Sequence, residues 1–120
     1  MSYDLYLNDP ITGETLTLDT PHQMRGGTYQ LGGSKELWLN ITYNYTKFYK
    51  RDDVFGGHGL ETIEGLTGAE SIPLLERAIK ALGDEVSDNY WDATEGNAKR
   101  PLYQLLAMAK MRPDGVWEIC

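Results

Sequence analysis

Four side chains on one alternating stretch, Asn40, Thr42, Asn44 and Thr46, hold the densest hydrogen-bonding chemistry of the chain. Amides and hydroxyls both donate and accept, so such a row can address a partner's backbone or the edge of a base. From Leu37 to Thr46 the pattern has period two: Leu37, Leu39, Ile41, Tyr43 and Tyr45 fall on one face, Trp38 and the polar four on the other. That spacing predicts a β-strand. Asparagine is depleted in strands because its amide competes for backbone hydrogen bonds, so two on one face ask for a reason. Three reasons are open: a solvated outer face, a hydrogen-bond ladder to neighbouring loops, or recognition of a partner. Trp38 heads the same face, and an exposed tryptophan is a common interface anchor. The expected arrangement puts Leu39, Ile41, Tyr43 and Tyr45 against the helices and Asn40, Thr42 and Asn44 outward.

A second concentration of chemistry is acidic. Asp84, Glu85, Asp88, Asp92 and Glu95 surround Tyr90 and Trp91 without the ligand alternation and central glycine of a calcium loop. Such a run is either a solvated helix connection or a surface for a basic partner. Trp38, Asn40, Thr42, Asn44, Asp88, Tyr90, Trp91, Asp92 and Glu95 therefore form the candidate partner-binding set. An alternative ligand-binding set joins Arg25 and Arg100 to Asn40 and Asn44, with an arginine meeting a nucleotide phosphate. Lys99, Arg100, Lys110 and Arg112 are too few and too dispersed for a nucleic-acid stripe. His22 and His58 lie far apart in loop-like sequence with no ligand spacing, so no metal is expected. No serine or cysteine stands in a nucleophile motif and no glycine-rich loop has the order of a phosphate cradle, so neither an enzyme nor a cofactor is expected.

The bulk properties narrow the partners. The net charge of −7, from 18 acidic and 11 basic residues, opposes direct binding of nucleic acid but suits docking on a basic surface, including a nucleic-acid-binding groove. Eight tyrosines among 13 aromatic residues exceed what the core of a 120-residue chain needs, and amphipathic rings favour half-buried binding faces. The single cysteine, Cys120, permits no disulfide within the chain. No apolar run is long enough to cross a membrane and the first residues lack a signal-peptide pattern, so the expected compartment is the cytoplasm.

These groups need a scaffold, and the sequence predicts one α+β domain over 1–120. Ser2 to Leu7 and Glu14 to Leu18 alternate around Asn8-Asp9-Pro10 and Gly13, which predicts a hairpin. A short strand at Thr28 to Leu31 and the 37–46 strand would complete a small antiparallel sheet of three to four strands in the N-terminal half. Residues 47–53 read as a helical turn or a frayed strand end, 55–59 as a loop, and 60–65 as a short helical turn. Ile72, Leu75, Ile79 and Leu82 repeat at helical spacing, with Ser71 as N-cap, Pro73 in the first turn and Gly83 as the stop. A further helix runs from an Asn97 cap to Met111 with Leu102, Leu105, Leu106 and Ala109 inward; a start at Thr94 would place Pro101 where it breaks the helix. Val116 to Ile119 closes as an edge strand. Two or three C-terminal helices thus pack on the sheet.

Three stretches, Pro21-His22-Gln23-Met24-Arg25-Gly26-Gly27-Thr28-Tyr29, Leu39-Asn40-Ile41-Thr42-Tyr43-Asn44-Tyr45, and Thr94-Glu95-Gly96-Asn97-Ala98-Lys99-Arg100 with Arg112-Pro113-Asp114-Gly115-Val116-Trp117, resemble small uncharacterised proteins of phages, prophages and mobile elements of Gram-positive bacteria. The resemblance spans most of the chain and brings no catalytic residues with it. Genes of that size and setting often encode inhibitors of host defence, anti-CRISPR proteins among them, which implies a host protein as partner. The expectation is a non-enzymatic inhibitor acting in the bacterial cytoplasm; the alternative is a small-ligand or nucleotide binder using the Asn/Thr face.

Overall fold

The computed structural model describes residues 2–22 and 34–120. Among the described residues five strands, β1 (Ser2–Asn8), β2 (Thr17–His22), β3 (Ser34–Glu36), β4 (Trp38–Thr42) and β5 (Val116–Ile119), accompany three helices, α1 (Thr46–Tyr49), α2 (Gly68–Ala81) and α3 (Glu95–Met111). The class is α+β, with strands mostly N-terminal and helices C-terminal. The main sheet has the order β4-β1-β5 and is antiparallel throughout, with Tyr3 opposite Ile41, Leu5 opposite Leu39 and Leu7 opposite Trp117. The expected hairpin begins but does not extend: the Asp9 N–H donates to Glu14 O and the Leu16 N–H to Leu7 O, and there the strands part. Beyond a single bridge between Asn8 and Thr15, β2 leaves β1 and pairs with β3 in a separate two-stranded sheet. Asp9 shapes the turn that closes this bridge, because its carboxylate accepts the backbone N–H groups of Ile11 and Thr12. The strand expected at Thr28 to Leu31 lies outside the described residues.

One apolar core joins the sheet to the helices. Leu5, Leu7, Leu39 and Ile41 enter it from the sheet, Leu75 from α2, and Leu102 and Leu105 from α3. Leu37, Leu39 and Ile41 are fully buried, as the alternation predicts. The strand stops earlier than predicted, however. Residues 43–45 form a 3₁₀ turn that leads directly into α1, because the Thr42 hydroxyl accepts the Asn44 N–H as an N-cap at 3.2 Å. Period two is lost at that point, so Tyr43 is exposed, its ring edge-on to Tyr3, while Tyr45 still reaches the core. Residues 47–49 are thus helical. Gly59–Ile63 supplies the expected helical turn as a second 3₁₀ segment.

Both long helices begin before the expected caps. Thr67, not Ser71, caps α2, through a reciprocal capping box with Glu70. The Gly68 and Ala69 N–H groups are taken by the carbonyls of Gly115 and Pro113, so the turn after α3 closes the start of α2. Gly68 is required there, since a Cβ would stand 2.7 Å from the Arg112 carbonyl oxygen. Ser71 is instead buried inside the helix: its hydroxyl donates to the Gly68 carbonyl and accepts the indole N–H of Trp117 at 2.8 Å. Helix α2 ends at Ala81, just before Gly83, and α3 starts from Thr94, whose hydroxyl accepts the Asn97 N–H. Pro73 and Pro101 lie in the helix interiors without ending them, each at the loss of one backbone hydrogen bond.

The outer side of β5 is covered by residues 64–66: Trp117 N–H donates to Leu66 O, Gly65 N–H to Trp117 O, and Ile119 N–H to the Glu64 carboxylate. On β4, the Thr42 N–H donates to the Tyr90 hydroxyl at 2.9 Å. Among the described residues no helix is long and apolar enough to cross a membrane.

Candidate functional site

The connection from α2 to α3, residues 83–94, contains no regular element, and its shape is set from the helix that follows it. Asn97 is buried to 3% exposure at the first turn of α3. Its carbonyl oxygen accepts the Ser87 N–H at 3.1 Å, and its amide donates to the carbonyls of Asn89 at 3.1 Å and Asp92 at 3.2 Å. One side chain thus fixes three points of the loop. Within it, the Ser87 hydroxyl donates to the Asp92 carboxylate at 2.6 Å, the Asn89 amide donates to the same carboxylate, and the Asn89 side-chain oxygen accepts the Trp91 N–H. The loop also presses on the helix start: Gly96 N–H donates to Glu85 O at 2.7 Å, and a Cβ on Gly96 would stand 2.4 Å from that same oxygen. Glycine is the residue that fits.

Ion pairs brace both ends. Arg51 on the α1 side reaches Glu95 at 2.7 Å and Asp53 at 2.6 Å, and Lys99 reaches Asp84 at 2.6 Å. Hydrogen bonding to the Arg51 guanidinium holds the Glu95 and Asp53 carboxyls below their usual range, and Asp84 raises the Lys99 ammonium. Asp84, Asp92 and Glu95 are therefore committed within the fold. Asp88 and Glu85 are exposed, and their carboxylates make no hydrogen bond or ion pair among the described residues.

The polar strand face meets this loop. The Thr42 N–H and the Tyr45 hydroxyl donate respectively to the hydroxyl and the carbonyl of Tyr90, and the Asn44 amide donates to the Trp91 carbonyl at 2.9 Å. Burial pushes the Tyr45 hydroxyl far above the usual tyrosine range. Rings continue the contact: Tyr90 stands edge-on to Tyr45 at 5.6 Å and to Trp91 at 4.9 Å. Asn40 and Thr42, expected to point into solvent, are buried at 5% and 1%. The Asn40 amide donates to the Ser2 hydroxyl at 2.7 Å and the Asp4 carboxylate at 2.9 Å. The stripe divides between the readings: Asn44, exposed as expected, reaches the loop, whereas the side-chain partners of buried Asn40 lie on β1. Trp38 is half-buried and stacks on Tyr6 from the facing position of β1, 6.1 Å between ring centres.

The nine candidate partner-binding residues thus separate. Thr42, Asn44, Tyr90 and Trp91 come together with Asp88, Asp92 and Glu95 around the loop, whereas Trp38 and Asn40 sit on the outer face of the sheet. At the surface of the loop, Trp91 and Val86 are each 50% exposed. Of the alternative ligand set, Arg25 lies outside the described residues and the Asn40 and Asn44 amides are spent internally. Arg100 lines a cleft of ≈ 150 Å³ together with Tyr45, Tyr90, Pro101 and Asp88. His58 is an exposed turn residue, and of His22 only the backbone, in β2, is described. Among the described residues no three His, Cys, Asp or Glu side chains gather as a metal site.

Asn97 is the residue that sequence reasoning misplaced. It was expected to cap the helix, yet Thr94 caps it and Asn97 holds the loop; the signal lay in Thr94 three residues ahead, a second cap candidate. Two of the stretches that carry the resemblance, 39–45 and 94–100, meet at this loop. Comparison with family models, with curated proteins and with solved structures finds no match.

Proposed function

We propose that this chain is a non-enzymatic accessory protein of a phage or mobile element that binds a host defence protein and inhibits it. Its acidic, tyrosine-rich surface docks, through the loop of Tyr90 and Trp91, on a basic surface of that protein, such as a nucleic-acid-binding groove. The observation that carries the reading is the half-exposed Trp91 on a loop that Asn97 holds in shape, a loop that also carries exposed Val86 and the uncommitted carboxylates of Glu85 and Asp88. A rigid aromatic anchor loses little conformational freedom on binding, and acidic neighbours steer it to a basic partner. The net charge of −7 favours the same encounter. The chain acts in the cytoplasm of the bacterial host.

The test is competition. Purified chain is titrated into purified RNA-guided nucleases of Gram-positive hosts, and DNA binding by each nuclease is followed. The expected result is stoichiometric loss of DNA binding by one nuclease, relieved as salt is raised. Trp91→Ala should weaken the inhibition about 30-fold, the equivalent of a ~2 kcal/mol hot spot. Unchanged DNA binding across the nuclease panel at excess chain would sink the reading. The nucleotide-binding alternative has less support, because the Asn40 and Asn44 amides that were to hold the ligand already have partners.

A further inference from the structure

The cleft beside α3 has walls of two kinds. Its apolar surface comes from the rings of Tyr45 and Tyr90 and from Pro101, and its buried polar wall from Asn97, whose amide is fully engaged with the loop. Ser87, also at the wall, spends its hydroxyl on Asp92 and on the Asn89 N–H. Two lining groups are left over. Asp88 and Arg100 are both exposed, and neither side chain has a hydrogen bond or an ion pair among the described residues. They carry opposite charges, they line the same cleft, and they do not pair with each other. The Arg100 charge is felt at the cleft floor, where it opposes the burial that raises the Tyr45 hydroxyl.

We infer that this cleft binds a small zwitterion, with its carboxylate at Arg100, its ammonium at Asp88 and a short apolar body against Tyr90 and Pro101, over buried Tyr45. A guanidinium takes a carboxylate through parallel N–H donors, and an ammonium beside an aromatic ring gains from the ring's negative face. The volume of ≈ 150 Å³ is what a benzene-sized body fills, which limits the ligand to a short amino acid and excludes a nucleotide. Binding of either charge alone would leave the other lining group without its complement. The inference is independent of docking on a host protein, since it concerns the isolated chain.

The experiment follows backbone amide resonances of the purified chain by NMR during titration with glycine, L-alanine, 3-aminopropanoate, 4-aminobutanoate and 5-aminopentanoate, each to about 10 mM, with propanoate and propylamine as single-charge probes. The series varies charge separation and so measures the span from Asp88 to Arg100. The expected result is saturable movement of the Ser87, Asp88 and Arg100 resonances with at least one zwitterion, and at least about tenfold weaker binding of both single-charge probes. Arg100→Gln and Asp88→Asn should each weaken the zwitterion about tenfold or more while leaving the melting temperature in place, because neither side chain has a partner in the fold to lose. Absence of saturable shifts with every zwitterion, equal binding of a single-charge probe, or binding indifferent to both substitutions would overturn the inference. Should either variant fail to fold, the probe series on the unsubstituted chain decides.

Discussion

The joint of α2 with β5 and the connection between α2 and α3 are each fastened by one buried side chain, Trp117 in the first and Asn97 in the second. Trp117 fills the core with its ring and passes its N–H to Ser71, while backbone bonds from residues 64–69 close around it. The Ser71 hydroxyl and the Trp117 indole and backbone N–H groups all have partners inside the fold. Asn97 works through hydrogen bonds alone, and what it orders is a loop whose interior is polar and whose surface keeps Trp91, Val86, Asp88 and Glu85 unspent. An apolar joint stores its stability in area removed from water; a polar clamp stores it in the cost of leaving its partners unsatisfied. The second kind can order a surface without consuming it, which is what a binding face requires.

Removing the apolar joint should have the largest effect. Trp117→Ala is expected to cost about 3 to 5 kcal/mol, read as the midpoint of denaturant unfolding, with loss spread over the whole chain. Asn97→Ala is expected to cost about 2 to 3 kcal/mol, because it strands the Ser87 N–H and two loop carbonyls. Hydrogen exchange should then show protection lost at residues 87–94 and kept in β1 and β5. Loss at both places alike would erase the distinction between the two regions. Gly96→Ala should cost about 1 to 3 kcal/mol, since the added Cβ meets the Glu85 carbonyl and forces the loop off the helix. A change confined to loop resonances would show that the loop gives way before the core does.

Acid should act weakly, at the loop and at the turns of Asp9 and Asp114, whose carboxyls are held low by backbone N–H groups and by Arg112 respectively. The Glu95 and Asp53 carboxyls are held below their usual range by Arg51, so their contribution is complete above the ordinary carboxylate pKa and is lost as pH falls through the lower folded values, from about pH 4 downward. The pair is surface-exposed, so the expected shift is small and disappears in salt. Glu95→Gln should flatten that part of the pH profile. Trp91→Ala should cost no more than about 1.5 kcal/mol, the size of its edge-on contact with Tyr90, its main consequence falling on binding. A larger loss would make Trp91 part of the clamp rather than of the surface.

Alternation in the sequence located the buried side of β4 correctly at Leu37, Leu39 and Ile41, because one-sided burial imposes period two on the residues themselves. It ran on through Tyr43 to Thr46 after the strand had ended, since a 3₁₀ turn started by a Thr42 cap leaves the same spacing in the letters. The helix starts were legible in principle. Thr67-x-x-Glu70 is a capping box, and Ser71 drew the assignment away by residue type and by its place before Pro73. The burial of Asn40 on the outer face of the sheet was not legible, because its partners, Ser2 and Asp4, become neighbours only once β1 has paired with β4. The same holds for Asn97, whose role depends on the path of a loop without periodicity.

The Thr42 N–H given to the Tyr90 hydroxyl has a consequence for behaviour at high concentration. A free donor along the rim of a sheet invites another chain to add a strand, the first step toward ordered aggregates. Here the same loop that presents Trp91 also occupies that donor, so loosening the loop would uncover an adhesive rim and the tryptophan at once. Variants that weaken the Asn97 clamp should therefore lose solubility sooner than their loss of stability alone would explain.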